Sequence, residues 1–73
     1  DDVYSIYNSI YRLFGNLKVG DSVSIVFSNG TRIDGKFIGI NEIKGEVIVK
    51  DAVGNCYIPK YEIDRAVSLI VAL

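Results

Sequence analysis

Few side chains in this sequence are equipped for catalysis: histidine is absent, cysteine occurs once, at Cys56, and the rest of the acid–base inventory is nine carboxylates, eight lysines and arginines, and five tyrosines. A structural zinc site draws mainly on Cys and His, and a Cys/His catalytic pair needs an imidazole; one thiol and no histidine come close to excluding both. The carboxylates are scattered through strand and turn patterns, where solvated charges are expected, so no acid–base pair stands out. In "NGTRIDGKFIGIN" (29 to 41), Gly35 and Gly39 lie inside a strand pattern rather than between a strand and a helix, which argues against a phosphate-binding loop. A non-enzymatic protein without metal or cofactor is expected. The lone cysteine points to a reducing, cytoplasmic compartment. Eight basic against nine acidic residues give a net charge of −1, which argues against a broad basic face for duplex DNA but leaves room for a small local site.

The elements that must position any such site are legible from periodicity. In "DDVYSIYNSIYRLFGNL", Val3, Ile6, Tyr7, Ile10, Leu13, Phe14 and Leu17 follow i, i+3, i+4, i+7 spacing, which predicts an amphipathic helix over about residues 2–15. Asp1 and Asp2 suit its N-terminal dipole, and Gly15 and Asn16 supply the stop. "DSVSIVFS" alternates as a half-buried strand, with Val23, Ile25 and Phe27 on one face. Asn29-Gly30 predicts a hairpin turn, because both residues tolerate positive φ. The next strand, "TRIDGKFIGI", places Ile33, Gly35, Phe37 and Gly39 on one side, where missing side chains permit a bend and close approach of a facing strand. "EVIVKD", "CYIP" and "IDRAVSLIVAL" read as three further strands separated by the turns "NEIKG" and "AVGN".

The expected fold class is therefore all-β with an N-terminal helix: one domain spanning residues 1–73, with strands over about residues 21–73. A strongly bent five-stranded antiparallel sheet or a small barrel fits this layout. Apolar residues are 49% of the chain, which excludes disorder and exceeds what so small a core readily hides; another subunit is expected to cover part of it. "AVSLIVAL" (66 to 73) is too short to span a bilayer, and "DDVYS" lacks the basic and apolar regions of a signal peptide, so a soluble protein is expected.

Two stretches, "VSIVFSNGTRIDGKFIG" (23 to 39) and "VIVKDAVGNCYIPKYEI" (47 to 63), resemble the Sm and Sm-like (Lsm) superfamily, with the nearest similarity to Hfq-type RNA chaperones. The resemblance implies an SH3-like barrel whose edges pair into a homo-oligomeric ring, usually of six or seven subunits, and a partner in single-stranded RNA, U-rich or A-rich. It places Lys60 and Tyr61 where Hfq-type proteins carry a lysine-histidine pair at the pore. An ammonium there can meet phosphate or a base oxygen, and a phenol ring can stack or hydrogen-bond. Asn41 and Ile43 fall in the other half of that implied site, Asn41 offering an amide to a base edge and Ile43 an apolar platform. Glu42 and Glu46 nearby repel phosphate.

On the opposite face Arg32 matches a basic position of the family, but Val26 stands where an aromatic is usual and Asp34 where an amide is usual. Pro59-Lys60 replaces the Arg-Gly signature of eukaryotic and archaeal Sm proteins. Asn8 and Arg12 lie on the polar face of the helix and can supply a basic rim. Two functions are thus expected to compete: a ring that binds single-stranded RNA without catalysis, and a small β-barrel module for protein assembly that shares the fold but binds no RNA.

Overall fold

The computed structural model describes residues 10–72. Residues 10–13 are helical and tighten into a 3₁₀ turn at Phe14–Asn16. Five strands follow: β1 (Ser22–Phe27), β2 (Arg32–Asn41), β3 (Glu46–Lys50), β4 (Asn55–Pro59) and β5 (Ala66–Val71), with a one-turn helix at Lys60–Ile63 between the last two. They form one antiparallel sheet in the order β4-β3-β2-β1-β5. The sheet is open, with β4 and β5 as its edges, so the closed-barrel alternative is not what forms. The chain is mostly β, as the alternation predicts. The part of the expected helix before residue 10 lies outside the described residues, as do Asn8, Asp1 and Asp2.

Alternation decides which side chains go inside. Val23, Ile25 and Phe27 of β1 are buried, as are Phe37 of β2, Val47 and Val49 of β3 and Ile58 of β4. Phe14 closes one side of this cluster, its ring centroid 5.9 Å from that of Phe37, and Ile10, Tyr11 and Leu17 pack beside it. Leu13, predicted on the apolar helical stripe, is instead 43% exposed. The 3₁₀ turn that follows is held by Leu17 N–H donating to Phe14 O at 3.3 Å, and Gly15 is not among the glycines at positive φ. The helix therefore stops by tightening, not by a left-handed glycine.

Bulges distinguish the strands from the simple period of two. β2 pairs with β3 through Phe37↔Val49 and then Gly39↔Ile48, leaving Ile38 as an extra residue. An inserted residue reverses the facing of everything beyond it and bends the strand. Ile40, opposite Val47, thereby joins the core, and Gly39 leaves the face that carries Phe37. A Cβ built on Gly39 meets nothing within 4 Å. Gly35 behaves as expected of a close approach: its added Cβ would lie 2.5 Å from Lys50 O and 2.7 Å from Val49 Cγ1. The two glycines are therefore not equivalent: the close approach falls at Gly35, and the irregularity of β2 falls at Ile38. A second shift, Val26↔Ser68 to Phe27↔Ala66, leaves Val67 as the extra residue in β5.

The Asn29-Gly30 hairpin forms as predicted, joining β1 to β2. Gly30 N–H donates to Phe27 O at 3.0 Å, Phe27 N–H donates to Thr31 O at 2.8 Å, and only Gly30 has positive φ, at 87°. This is a turn over Phe27–Gly30 that ends in one left-handed residue, Gly30, the three-residue alternative to a two-residue loop. Asn29 contributes its side chain instead, Oδ1 accepting from Thr31 N–H at 2.9 Å. The predicted fifth strand also starts later. Ile63 is a fully buried plug on the one-turn helix, and the strand begins at Ala66.

Candidate nucleic-acid interface

Four of the five candidate residues converge at one end of the sheet. β2 ends at Asn41, which is the register partner of Glu46, and Glu46 in turn faces Pro59 at the end of β4. Lys60 follows Pro59 directly. Its backbone N–H donates to Gly45 O at 2.8 Å, which ties the one-turn helix to the β2–β3 loop. Pro59 sets this junction: its extended backbone precedes the helix, and a ring nitrogen without N–H costs nothing at a strand end.

Within this corner the side chains differ in what they offer. Lys60 Nζ lies 3.2 Å from Asp64 Oδ2, one turn further along, and 5.3 Å from the centroid of the Tyr11 ring. An ion pair this exposed contributes at most about 1 kcal/mol, so the ammonium is oriented without being sequestered. Tyr61 is 66% exposed and Ile43 99% exposed, leaving a phenol ring and an aliphatic side chain open to solvent. Asn41 Oδ1 accepts from Lys44 N–H at 3.2 Å, which fixes the amide and commits one acceptor to the loop.

Arg32 stands apart from this group. It begins β2 while Asn41 ends it, a separation of roughly 30 Å along an extended strand at about 3.3 Å per residue. Its guanidinium is held by Asp34, Nε to Oδ1 at 2.9 Å, and donates through Nη2 to Ser24 Oγ at 3.3 Å. Ser24 Oγ also donates to Asp34 Oδ1. The Ser24 hydroxyl and then the Arg32 guanidinium hold the Asp34 carboxyl below the usual carboxylate range. The implied two-sided site is therefore one assembled corner and one distant arginine engaged with its own strand.

Three participants in the corner carry no signal in the sequence. Tyr11 was not part of the predicted helical stripe, yet its ring lies beneath the Lys60 ammonium. Lys44 adds a second cation to an otherwise acidic loop, and the Gly45 carbonyl anchors Lys60. The contacts of Tyr11 and Gly45 with Lys60 span 49 and 15 residues, and no local pattern encodes them.

Among the described residues, no group of three or more His, Cys, Asp or Glu could hold a metal ion, and no helix is long and apolar enough to cross a membrane. Compared with known proteins, the chain matches no family model, no curated protein and no solved structure.

Proposed function

We propose that this chain is an Sm-like protein that binds single-stranded RNA without catalysis and acts as a homo-oligomeric ring. The observation that carries the reading is the junction of Lys60 and Tyr61 with the Asn41–Gly45 loop through the hydrogen bond from Lys60 N–H to Gly45 O. That junction gathers a cation, an exposed aromatic ring and an amide, the set that single-stranded RNA recognition uses for phosphate, base face and base edge. Two open edges support the assembly. An unpaired strand is a template for another chain, and β5 carries Val67 and Ile70 exposed at 62% and 51% while β4 carries Tyr57 at 56%. Pairing β4 of one copy with β5 of the next repeats a weak site around the ring, so avidity offsets the small net charge.

A second reading, a protein-assembly module without RNA, draws on the ion pair of Lys60 with Asp64 and on Glu42 and Glu46 beside it. The two are separated by titrating U-rich and A-rich oligonucleotides against the wild type and Lys60→Ala. RNA binding predicts a salt-dependent affinity that falls in the variant, with stability unchanged within about 0.5 kcal/mol. Absence of binding at low salt favours the assembly module.

A further inference from the structure

A second charged feature lies at the far end of β3 and β4 from Lys60. Ser22 of β1, Lys36 of β2, Lys50 of β3 and Asn55 of β4 are successive register partners. One row of side chains thus crosses four strands on a single face. Its two central members are lysines placed directly opposite each other, an arrangement that costs stability. Among the described residues neither ammonium enters an ion pair, since the two salt bridges belong to Arg32 and Lys60.

Both lysines line an open groove of about 660 Å³ with the Ser22 and Ser24 hydroxyls, Asp34 and Asp51. Of the two carboxylates, one is matched by a cation and the other keeps its charge, so the lysines are offset in part and the groove stays net positive. Asp34 is paired with Arg32, and Asp51 Oδ1 accepts from Val53 N–H at 2.8 Å and Gly54 N–H at 3.0 Å. What remains is a pair of adjacent lysines whose charge exceeds that of Asp51, with Ser22 beside them, in a concavity within the usual small-ligand range of about 300 to 1,000 Å³.

We propose that Lys36 and Lys50 form a binding site for a small anion carrying a diphosphate group. Directly opposed residues on antiparallel strands have Cα atoms about 5 Å apart, so the two ammonium groups can each take one of two adjoining phosphates. A carboxylate ligand has one charge for two cations and leaves the repulsion uncompensated. A diphosphate satisfies both with charge-assisted hydrogen bonds. The site shares no residue with the Lys60 corner, although Ile70 of the β5 edge, which the ring reading pairs with the next copy, lines the same groove.

The test is calorimetric titration of the full chain with inorganic pyrophosphate and with ADP, on the wild type, Lys36→Gln, Lys50→Gln and Lys60→Ala. Saturable binding is expected for both ligands, weakened about tenfold by either glutamine substitution, the loss of one charge-assisted contact, and unchanged in Lys60→Ala. Tighter binding of ADP than of pyrophosphate assigns the site to a nucleotide; equal affinity assigns it to the diphosphate alone. Thermal unfolding gives an independent readout. At low salt the double glutamine variant should melt higher than the wild type, and pyrophosphate should raise the melting temperature of the wild type only. Equal stabilisation of both proteins by pyrophosphate overturns the proposal. So does binding of a hexanucleotide without terminal phosphates that is lost in the glutamine variants when neither diphosphate binds.

Discussion

Replacing Gly35 by alanine puts a single methyl group where the structure has no room for one. The added Cβ would stand 2.5 Å from Lys50 O, 2.7 Å from Val49 Cγ1 and 3.0 Å from Lys50 C. Two of these are backbone atoms of β3, and Val49 is fully buried, so no flexible side chain can swing aside. Relief requires β2 and β3 to part where Lys36 pairs with Lys50 and Phe37 with Val49. The cost should sit at the upper end of the overpacking range, about 3 kcal/mol. For a 73-residue chain the whole stability is expected to be about 4 to 11 kcal/mol. A loss of that size lowers the melting temperature by about 12 to 24 °C. Circular dichroism during heating and urea titration measure it. Gly39→Ala is the control, since a Cβ there meets nothing within 4 Å, and it should change stability by less than about 1 kcal/mol. A melting temperature for Gly35→Ala within two or three degrees of the wild type, or a larger drop in Gly39→Ala, refutes the account of the close approach at Gly35.

Two other outcomes follow from the same structure. Ile63→Ala removes a fully buried side chain and should cost about 2 to 5 kcal/mol, measured by urea unfolding; a loss below about 0.5 kcal/mol, typical of surface positions, contradicts its placement in the core. Asp34 has its carboxyl held below the usual range by Ser24 and Arg32. A depressed folded-state pKa contributes stability that is present above the ordinary aspartate value near 3.9 and is lost as pH falls through the folded value. Asp34→Asn should therefore flatten the acid side of the stability profile and leave the slope near pH 7 unchanged; an unaltered acid limb counts against the Ser24–Asp34–Arg32 network.

Some of this architecture was legible in the residues and some was not. The inward positions of β1 follow from alternation, and Gly35 follows from the need for a facing strand to come close. The extra residues Ile38 and Val67 are invisible to a period of two, because an inserted residue looks like its neighbours until the partner register is known. That is why Gly39 was expected on the wrong face. Ile63 fits the core equally well from a strand or from a helical turn, so the late start of β5 was hidden. In the candidate site, the type of each side chain was readable, but its company was not. Lys60 meets the β2–β3 loop through a backbone hydrogen bond and meets Tyr11 across 49 positions in the chain, and both are products of tertiary packing.

The central claim, a ring that holds single-stranded RNA, is tested most directly by native mass spectrometry of the full chain at micromolar concentration, with and without short U-rich and A-rich oligonucleotides. The account predicts a single closed oligomer of about six or seven copies that retains an oligonucleotide, and loss of that oligonucleotide but not of the oligomer in Lys60→Ala. A monomer that retains no RNA at low ionic strength would contradict it.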